Sequence, residues 1–547
     1  MERESLLNHF INGFWPLPFF LYAETHYRFR FFFSLLKKDE PELIADAPHR
    51  LEPRQPLPIL ILAKDAHRFR ATLRQVTIEI RQGQRVVRRE DQLDHPVELT
   101  QRFFTKIFLV DLPSLDGWID ADVSLTIETN GRTRTYHNDN HRTSSHQPLR
   151  VFLAREPLPV FSGLFLGDPH THSDYTDDQV EFGAPLRASS VLAKAIGLSY
   201  FCVTDHSYDL DDHAHSFLTN DPDLAKWRAL QSEIDQLNGE DQFFVVVRGE
   251  EVSCRNTRGE NVHFLIFGQR EFIHGSGDSA ERWLQTKSEH DVNEVLQLRS
   301  SGSTAFAAHA KEAVPVLQRV LLGRGIWEDA DLERSGLSGL QIINGSLDRG
   351  FREGYRSWIH QLLRGNRLCA IAGNDAHGNF NRFRQIGIPF VKLRESEHQI
   401  FGRMRTGVFL ASDLTEGSVL DAFAQGRALM TDGPVAKITS PGSEQGLFVV
   451  RTSRAADSVE FDVEALSTSE FGEITSIQVI VGKFGEAEER TAFRFDGRQG
   501  FRVRKRVLLK RSITSYVRLE VWSSDVNLLD QQRHFCLTNP VWFSALD

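Results

Sequence analysis

Two rhythms of apolar residues alternate along the chain. From residue 1 to about 160 the pattern has period two, as in Tyr27-Arg28-Phe29-Arg30-Phe31 and Val76-Thr77-Ile78-Glu79-Ile80. That period belongs to half-buried strands. Val123 to Thr135 reads as a hairpin turning at Asn130-Gly131, a pair suited to a tight turn with positive φ. With no long helical pattern competing, residues 1–160 are expected to form a β-sandwich-like domain that ends in the linker Ala154–Pro159.

The rhythm then changes. Short apolar runs at Gly163–Gly167, Tyr200–Thr204, Phe243–Val247, Val262–Phe267, Thr304–Ala308, Leu340–Ile343 and Cys369–Ala372 are interleaved with helical stretches such as Leu186–Ile196 and Phe351–Leu363. Strands alternating with helices predict an α/β domain with a largely parallel sheet or barrel over residues 161–440. The link Arg255 to Asn261 is too short for a helix and predicts a hairpin. After Pro441 the strand rhythm returns, in Ser458–Leu466, Ile474–Val481, Tyr516–Val521 and Pro540–Phe543, and predicts a second β-sandwich-like domain over 441–547.

Length and composition bound the function. A chain of 547 residues exceeds one core. Hydrophobic content of 40% and charged content of 25% are those of a soluble globular protein. A net charge of -10 leaves no footprint for nucleic acid. Cys202, Cys254, Cys369 and Cys536 form no CxxC and lie mostly in apolar runs, as buried thiols in a reducing compartment do. The uncharged stretch Phe10–Ala23 is broken by Pro16 and Pro18, and the opening Met1-Glu2-Arg3-Glu4 lacks the basic start of a signal peptide. A cytoplasmic protein with no specific membrane partner is expected.

Almost every apolar run of the middle segment ends in, or contains, a metal-competent side chain. His170, His172 and Asp177 follow the first, Asp205 and His206 the second, and Glu250 and Glu251 the third; His263 opens the fourth, His309 follows the fifth, and Asp375 and His377 the seventh. Residues i and i+2 of an extended segment point the same way, so His170 with His172, and Asp375 with His377, can each offer two ligands to one spot. The hairpin sets His263 beside Glu251 and turns Glu250 to the opposite face. A single HxH is more often hydrogen-bonded core than ligand. Six imidazoles and three carboxylates at strand ends are different, because burying them without a cation costs on the order of several kcal/mol each.

Taken in order, HxH…D, TDH, GxE…H, AH and DxH resemble the polymerase-and-histidinol-phosphatase (PHP) superfamily across roughly residues 163 to 390. The segment Gly426–Pro434 and the closing Thr538-Asn539-Pro540 are similar to its CehA/McbA-like branch. The resemblance implies a distorted (β/α)7 barrel holding two to three divalent ions, Zn, Mn or Fe. It places the first on His170, His172, Glu251 and Asp375, the second on Glu251, His263 and His309, and the third on Asp177, His206 and His377.

The expected activity is hydrolysis by metal-activated water. Glu251 bridges two ions, and Asp205 orients His206 or accepts a proton. Arg382 and Arg384, together with Lys311, are candidates to hold the oxygens of a small phosphorylated ester. Carbamate or carboxylic ester hydrolysis is the enzymatic rival, and a non-catalytic metal-binding scaffold is the third reading.

Overall fold

The computed structural model describes residues 40–140, 146–176, 182–213, 216–275, 286–381, 399–440, 449–452, 458–510, 514–526 and 532–545. The predicted strand Tyr27–Phe31, the candidate ligand Asp177 and the candidate substrate residues Arg382 and Arg384 lie outside them. The chain divides into two compact units. One comprises Met1–Arg155, Thr176–Gly197 and His377–Phe401; the other comprises Glu156–Tyr175, Leu198–Ala376 and Gly402–Asp547. Among the described residues no helix is long and apolar enough to cross a membrane.

In the first unit the strands Glu42–Asp46, Leu57–Lys64 and Phe103–Val110 form one antiparallel sheet, and a larger sheet is centred on Ala71–Gln82 and Gly117–Thr129. Alternate residues of both sheets, among them Leu57, Ile59, Ile61, Val76, Ile78, Val123 and Leu125, bury their side chains in one core and supply most of its hydrophobic stabilisation. Asn130 and Gly131 both have positive φ and join Gly117–Thr129 to Arg132–His137. The helix Leu186–Ile196 belongs to this unit and stops at Gly197, where φ is 103°.

The second unit holds the candidate site. Strands Leu164–His172, Tyr200–Val203 and Val245–Val247 run parallel. On its other edge Leu164–His172 pairs antiparallel with Arg405–Phe409, which pairs with Ala428–Thr431, which pairs with Arg533–Thr538. A second sheet takes Gly249–Arg255, Asn261–Phe267 and Thr304–Ala307 antiparallel, and then Gly339–Asn344 and Cys369–Gly373 parallel.

This topology corrects the expected fold class, a (β/α)7 barrel flanked by separate N-terminal and C-terminal β-sandwich-like domains. Among the described residues strand outweighs helix, 45% against 17%, too little helix to cover each strand of such a barrel. Cys369–Gly373 meets the first sheet through side chains. Thr406 Oγ1 accepts from Ala372 N at 2.9 Å and donates to its carbonyl at 2.8 Å, and Asn539 does the same for Ala370 at 2.7 and 2.8 Å. Of the C-terminal strands, Ile474–Gly482, Tyr516–Val526 and Arg533–Thr538 extend the central sheet, and Tyr516, Phe535, Leu537 and Trp542 share a core with Trp358, Leu362 and Val252. Val435–Thr439, Ser458–Leu466 and Arg502–Lys510 form a sheet of their own, whose Val435, Phe461, Val463 and Val507 share a core with Val479, Leu519 and Val521. The apolar rhythm locates strands, but the pairing of sequence-distant strands is set by the packing of their faces.

Candidate metal centre

Strand ends converge on Glu251. His170 and His172 close Leu164–His172, whose ladder with Tyr200–Val203 shifts register between Asp168 and Thr171. Pro169, which has no N–H to give a ladder, sits within that irregularity. The chain leaving Tyr200–Val203 carries His206, which forms a parallel bridge with Glu251, while Glu251 N donates to Asp205 O at 3.0 Å. Glu251 and His263 lie two register positions apart on the antiparallel pair, so they share a face, and Glu250 occupies the other. Glu250 is fully buried and accepts from Ser207 Oγ and Ile273 N, each at 3.2 Å. His309 and Asp375 follow the next strand ends with φ of 29° and 52°. Residues with side chains rarely adopt these values, and at a site such strain fixes the aim of a side chain.

The donor atoms form a compact figure. His170 Nε2, His172 Nε2, Glu251 Oε2 and Asp375 Oδ1 lie mutually within 4.8 Å. His170 Nε2 is 3.3 Å from His172 Nε2, 3.5 Å from Glu251 Oε2 and 3.4 Å from Asp375 Oδ1. His172 Nε2 is 3.4 Å from Glu251 Oε2 and 3.2 Å from Asp375 Oδ1. A tetrahedral zinc with bonds of about 2.0–2.1 Å needs ligand atoms about 3.3–3.4 Å apart. The five edges match that requirement. Two imidazole nitrogens aimed at each other at 3.3 Å gain little from a hydrogen bond and much from a shared cation.

The other oxygen of Glu251 serves a second group. His263 Nδ1 is 2.9 Å and His309 Nε2 is 3.2 Å from Oε1, while His206 Nδ1 is 3.1 Å from Oε2. His170, His172 and Glu251 are essentially closed to solvent. The side chains of Asp375 and His309 retain 17% and 23% exposure, so the centre meets solvent at these two residues.

The electrostatics call for a cation. Burial disfavours a charged His170 imidazole, but Asp375 and Glu251 outweigh it and hold its pKa at about 9. Burial opposes ionisation of Glu251 and Asp375 too, yet His263, His170 and His206 around the first, and His170 and His172 around the second, hold both carboxyls well below their usual range. The donor set, two carboxylates among imidazoles in a closed site, therefore fits one or two divalent ions.

Residues not among the sequence-predicted ligands support this figure. Asp168, fully buried and raised to about 6 by that burial, accepts from the backbones of His170 and Asn374 (3.2 Å each), from Asn374 Nδ2 (2.7 Å) and from Gly402 N (2.9 Å). It ties the approach to His170 to the approach to Asp375. Gln341 contacts both His170 and His309. A buried acid beside the HxH and a glutamine inside an apolar run were the available signals.

The Asp205 carboxylate accepts from Ser173 N at 2.7 Å and Ser173 Oγ at 2.6 Å, fixing the turn after His172. Lys311 Nζ engages the Trp327 carbonyl and Asp329 Oδ1. His377 ends the short strand Ala376–His377 and belongs to the first unit.

No family model matches the chain, and no curated protein matches it. Among solved structures the chain is similar to a beta-glucuronidase of Bacteroides uniformis, at 8% identity and a TM-score of 0.17, over 92% of this chain and 61% of that one. It is also similar to a putative beta-galactosidase of Bacteroides fragilis, at 9% identity and 0.20, over 92% and 74%. A beta-D-mannosidase of Dictyoglomus thermophilum stands at 9% and 0.23, over 92% and 67%. Backbones scoring this low do not superpose as one fold, and nothing of those enzymes' chemistry passes to this chain. The expected membership of the PHP superfamily, with its CehA/McbA-like branch, is corrected: no family model answers to it.

Proposed function

We propose that this chain is a metal-dependent hydrolase of a small-molecule ester. The observation that carries the reading is the convergence of the His170, His172, Glu251 and Asp375 donor atoms, five of whose six separations are 3.2–3.5 Å. In this reading those four residues hold one divalent ion, and His263 and His309 hold a second with the other oxygen of Glu251. When bound, such ions make water a nucleophile at neutral pH and stabilise negative charge developing on the electrophile. The chain's own contribution is to fix the geometry and exclude water. Glu251 spans the two groups, Asp168 anchors the segments carrying His170 and Asp375, and the partly open His309 and Asp375 frame the approach for substrate.

The proposal is framed at the level of the ester bond. The expectation of a phosphorylated substrate rests mainly on the PHP resemblance, with Lys311, Arg382 and Arg384 as its candidate clamp. Lys311 is committed to Trp327 and Asp329, and the two arginines lie outside the described residues. The test is an assay of the metal-stripped chain, resupplied with Zn or Mn, against phosphomonoesters, phosphodiesters, aryl carbamates and carboxylic esters. Turnover of one class that appears only on resupply is expected. Turnover independent of metal, or none with any class, contradicts the proposal.

A further inference from the structure

Gln341 lies in the strand Gly339–Asn344, flanked by Leu340 and Ile342, and is buried. It sits where the ladder with Cys369–Gly373 shifts register, between Gln341 and Ile343. Its amide has a defined orientation. Nε2 is 3.2 Å from Ile343 O and 3.1 Å from Asn344 Oδ1, so that end donates. Oε1 is 3.1 Å from His309 N, a backbone donor, so that end accepts. The same Oε1 is 2.9 Å from His170 Nδ1. An oxygen already defined as an acceptor requires His170 Nδ1 to carry the proton. The lone pair of a neutral His170 is thereby placed on Nε2, the atom that faces His172, Glu251 and Asp375.

We propose that Gln341 is a positioning residue that fixes the tautomer of His170 and the strained backbone of His309 through one oxygen. It thereby locks the two donor groups on either side of Glu251 into a common geometry. The inference rests on the metal-centre reading above and adds to it a residue that touches no ion. His309 holds a φ of 29°, a conformation that persists only when its surroundings enforce it, and the bond from its N–H to Gln341 is one such constraint. Partners of this kind, bonded to the non-ligating nitrogen of a histidine, set both the ring orientation and the basicity of the ligand.

The test compares Gln341→Leu with Gln341→Glu in the full chain, using Co2+ as the probe. Affinity is read by chelator competition, geometry by the visible absorption of bound Co2+, and folding by thermal melting without metal. Gln341→Leu removes the acceptor, and its Co2+ affinity is expected to fall by about 10–100-fold with an altered spectrum. Gln341→Glu keeps an acceptor toward both histidines and, with its other oxygen protonated, a donor toward Ile343 O, and is expected to stay within a few-fold of wild type. Should the leucine variant fail to fold, Gln341→Asn withdraws the oxygen by one methylene and takes its place in the comparison. A folded leucine or asparagine variant with wild-type affinity and spectrum overturns the proposal, as does a glutamate variant no better than leucine. Wild-type chain that binds no Co2+ rejects the metal-centre reading itself.

Discussion

Gly373→Ala perturbs the centre without removing a ligand. A methyl group on Gly373 would lie 2.7 Å from His170 Cβ, 3.1 Å from His170 N and 3.2 Å from Gln341 Nε2. It falls about 0.7 Å short of ordinary contact with the His170 side chain, and overpacking of that kind costs roughly 1–3 kcal/mol in a close-packed interior. His170 or the strand must move, and a site of this type tolerates only about 0.5 Å of misplacement. Metal affinity at the His170 group should therefore fall by about 10–100-fold, and catalysis by a similar factor, since about 1 Å of misplacement costs on the order of 100-fold. Gly354→Ala is the control. Its methyl meets Ile342 only at 3.6–3.7 Å, within the helix Arg349–Leu363, and should leave metal affinity unchanged while stabilising the helix by up to about 1 kcal/mol. Metal titration of both variants, with urea unfolding alongside, decides the matter. A folded Gly373→Ala protein with wild-type metal affinity and turnover would refute the placement of His170.

Glu251→Gln should lose most bound metal and activity, whereas Glu250→Gln, whose amide oxygen can accept from Ile273 N while its nitrogen donates to Ser207 Oγ, should retain both; equal behaviour of the two in elemental and activity assays would show that the wrong face had been chosen. Asp375→Gly and Asp375→Ala should both lose metal, but the glycine variant should be the more stable by about 1 kcal/mol in thermal melts, because it relieves a φ of 52°. His534 donates to Asp432 at 2.8 Å, and although burial lowers its pKa, Asp432 more than compensates and raises it above 6.5, with Glu470 adding to the rise and Arg405 opposing it. This contribution is complete below the unfolded pKa of histidine and is lost as pH rises through the raised folded value, so the excess stability of wild type over His534→Gln should shrink as pH rises above about 6.5.

Much of the local structure is legible in the sequence, because local rules govern it. Asn130-Gly131 marks a hairpin, Gly197 ends the helix Leu186–Ile196, and the apolar runs from Tyr200 to Cys369 coincide with strands. The side-chain period of two also separates Glu251 from Glu250. What escaped was non-local. Nothing in Ala428–Thr431 or Arg533–Thr538 announces that they pair, and this pairing makes Ile474–Gly482, Tyr516–Val526 and Arg533–Thr538 part of the central sheet. The resemblance to the PHP superfamily misled for a related reason. Short motifs such as HxH, TDH and DxH record which side chains converge, and convergence of ligands does not specify the topology that delivers them. Gln341 was hidden because a polar residue inside an apolar run shows its partners only after folding.

The most direct measurement is elemental analysis of the full chain after gentle purification, repeated on Glu251→Gln. The two donor groups sharing Glu251 predict about two equivalents of transition metal per chain in the wild type, and their loss in the variant. Fewer than one equivalent in the wild type, with no uptake of Zn or Mn on resupply, would contradict the metal centre and the hydrolytic function built on it.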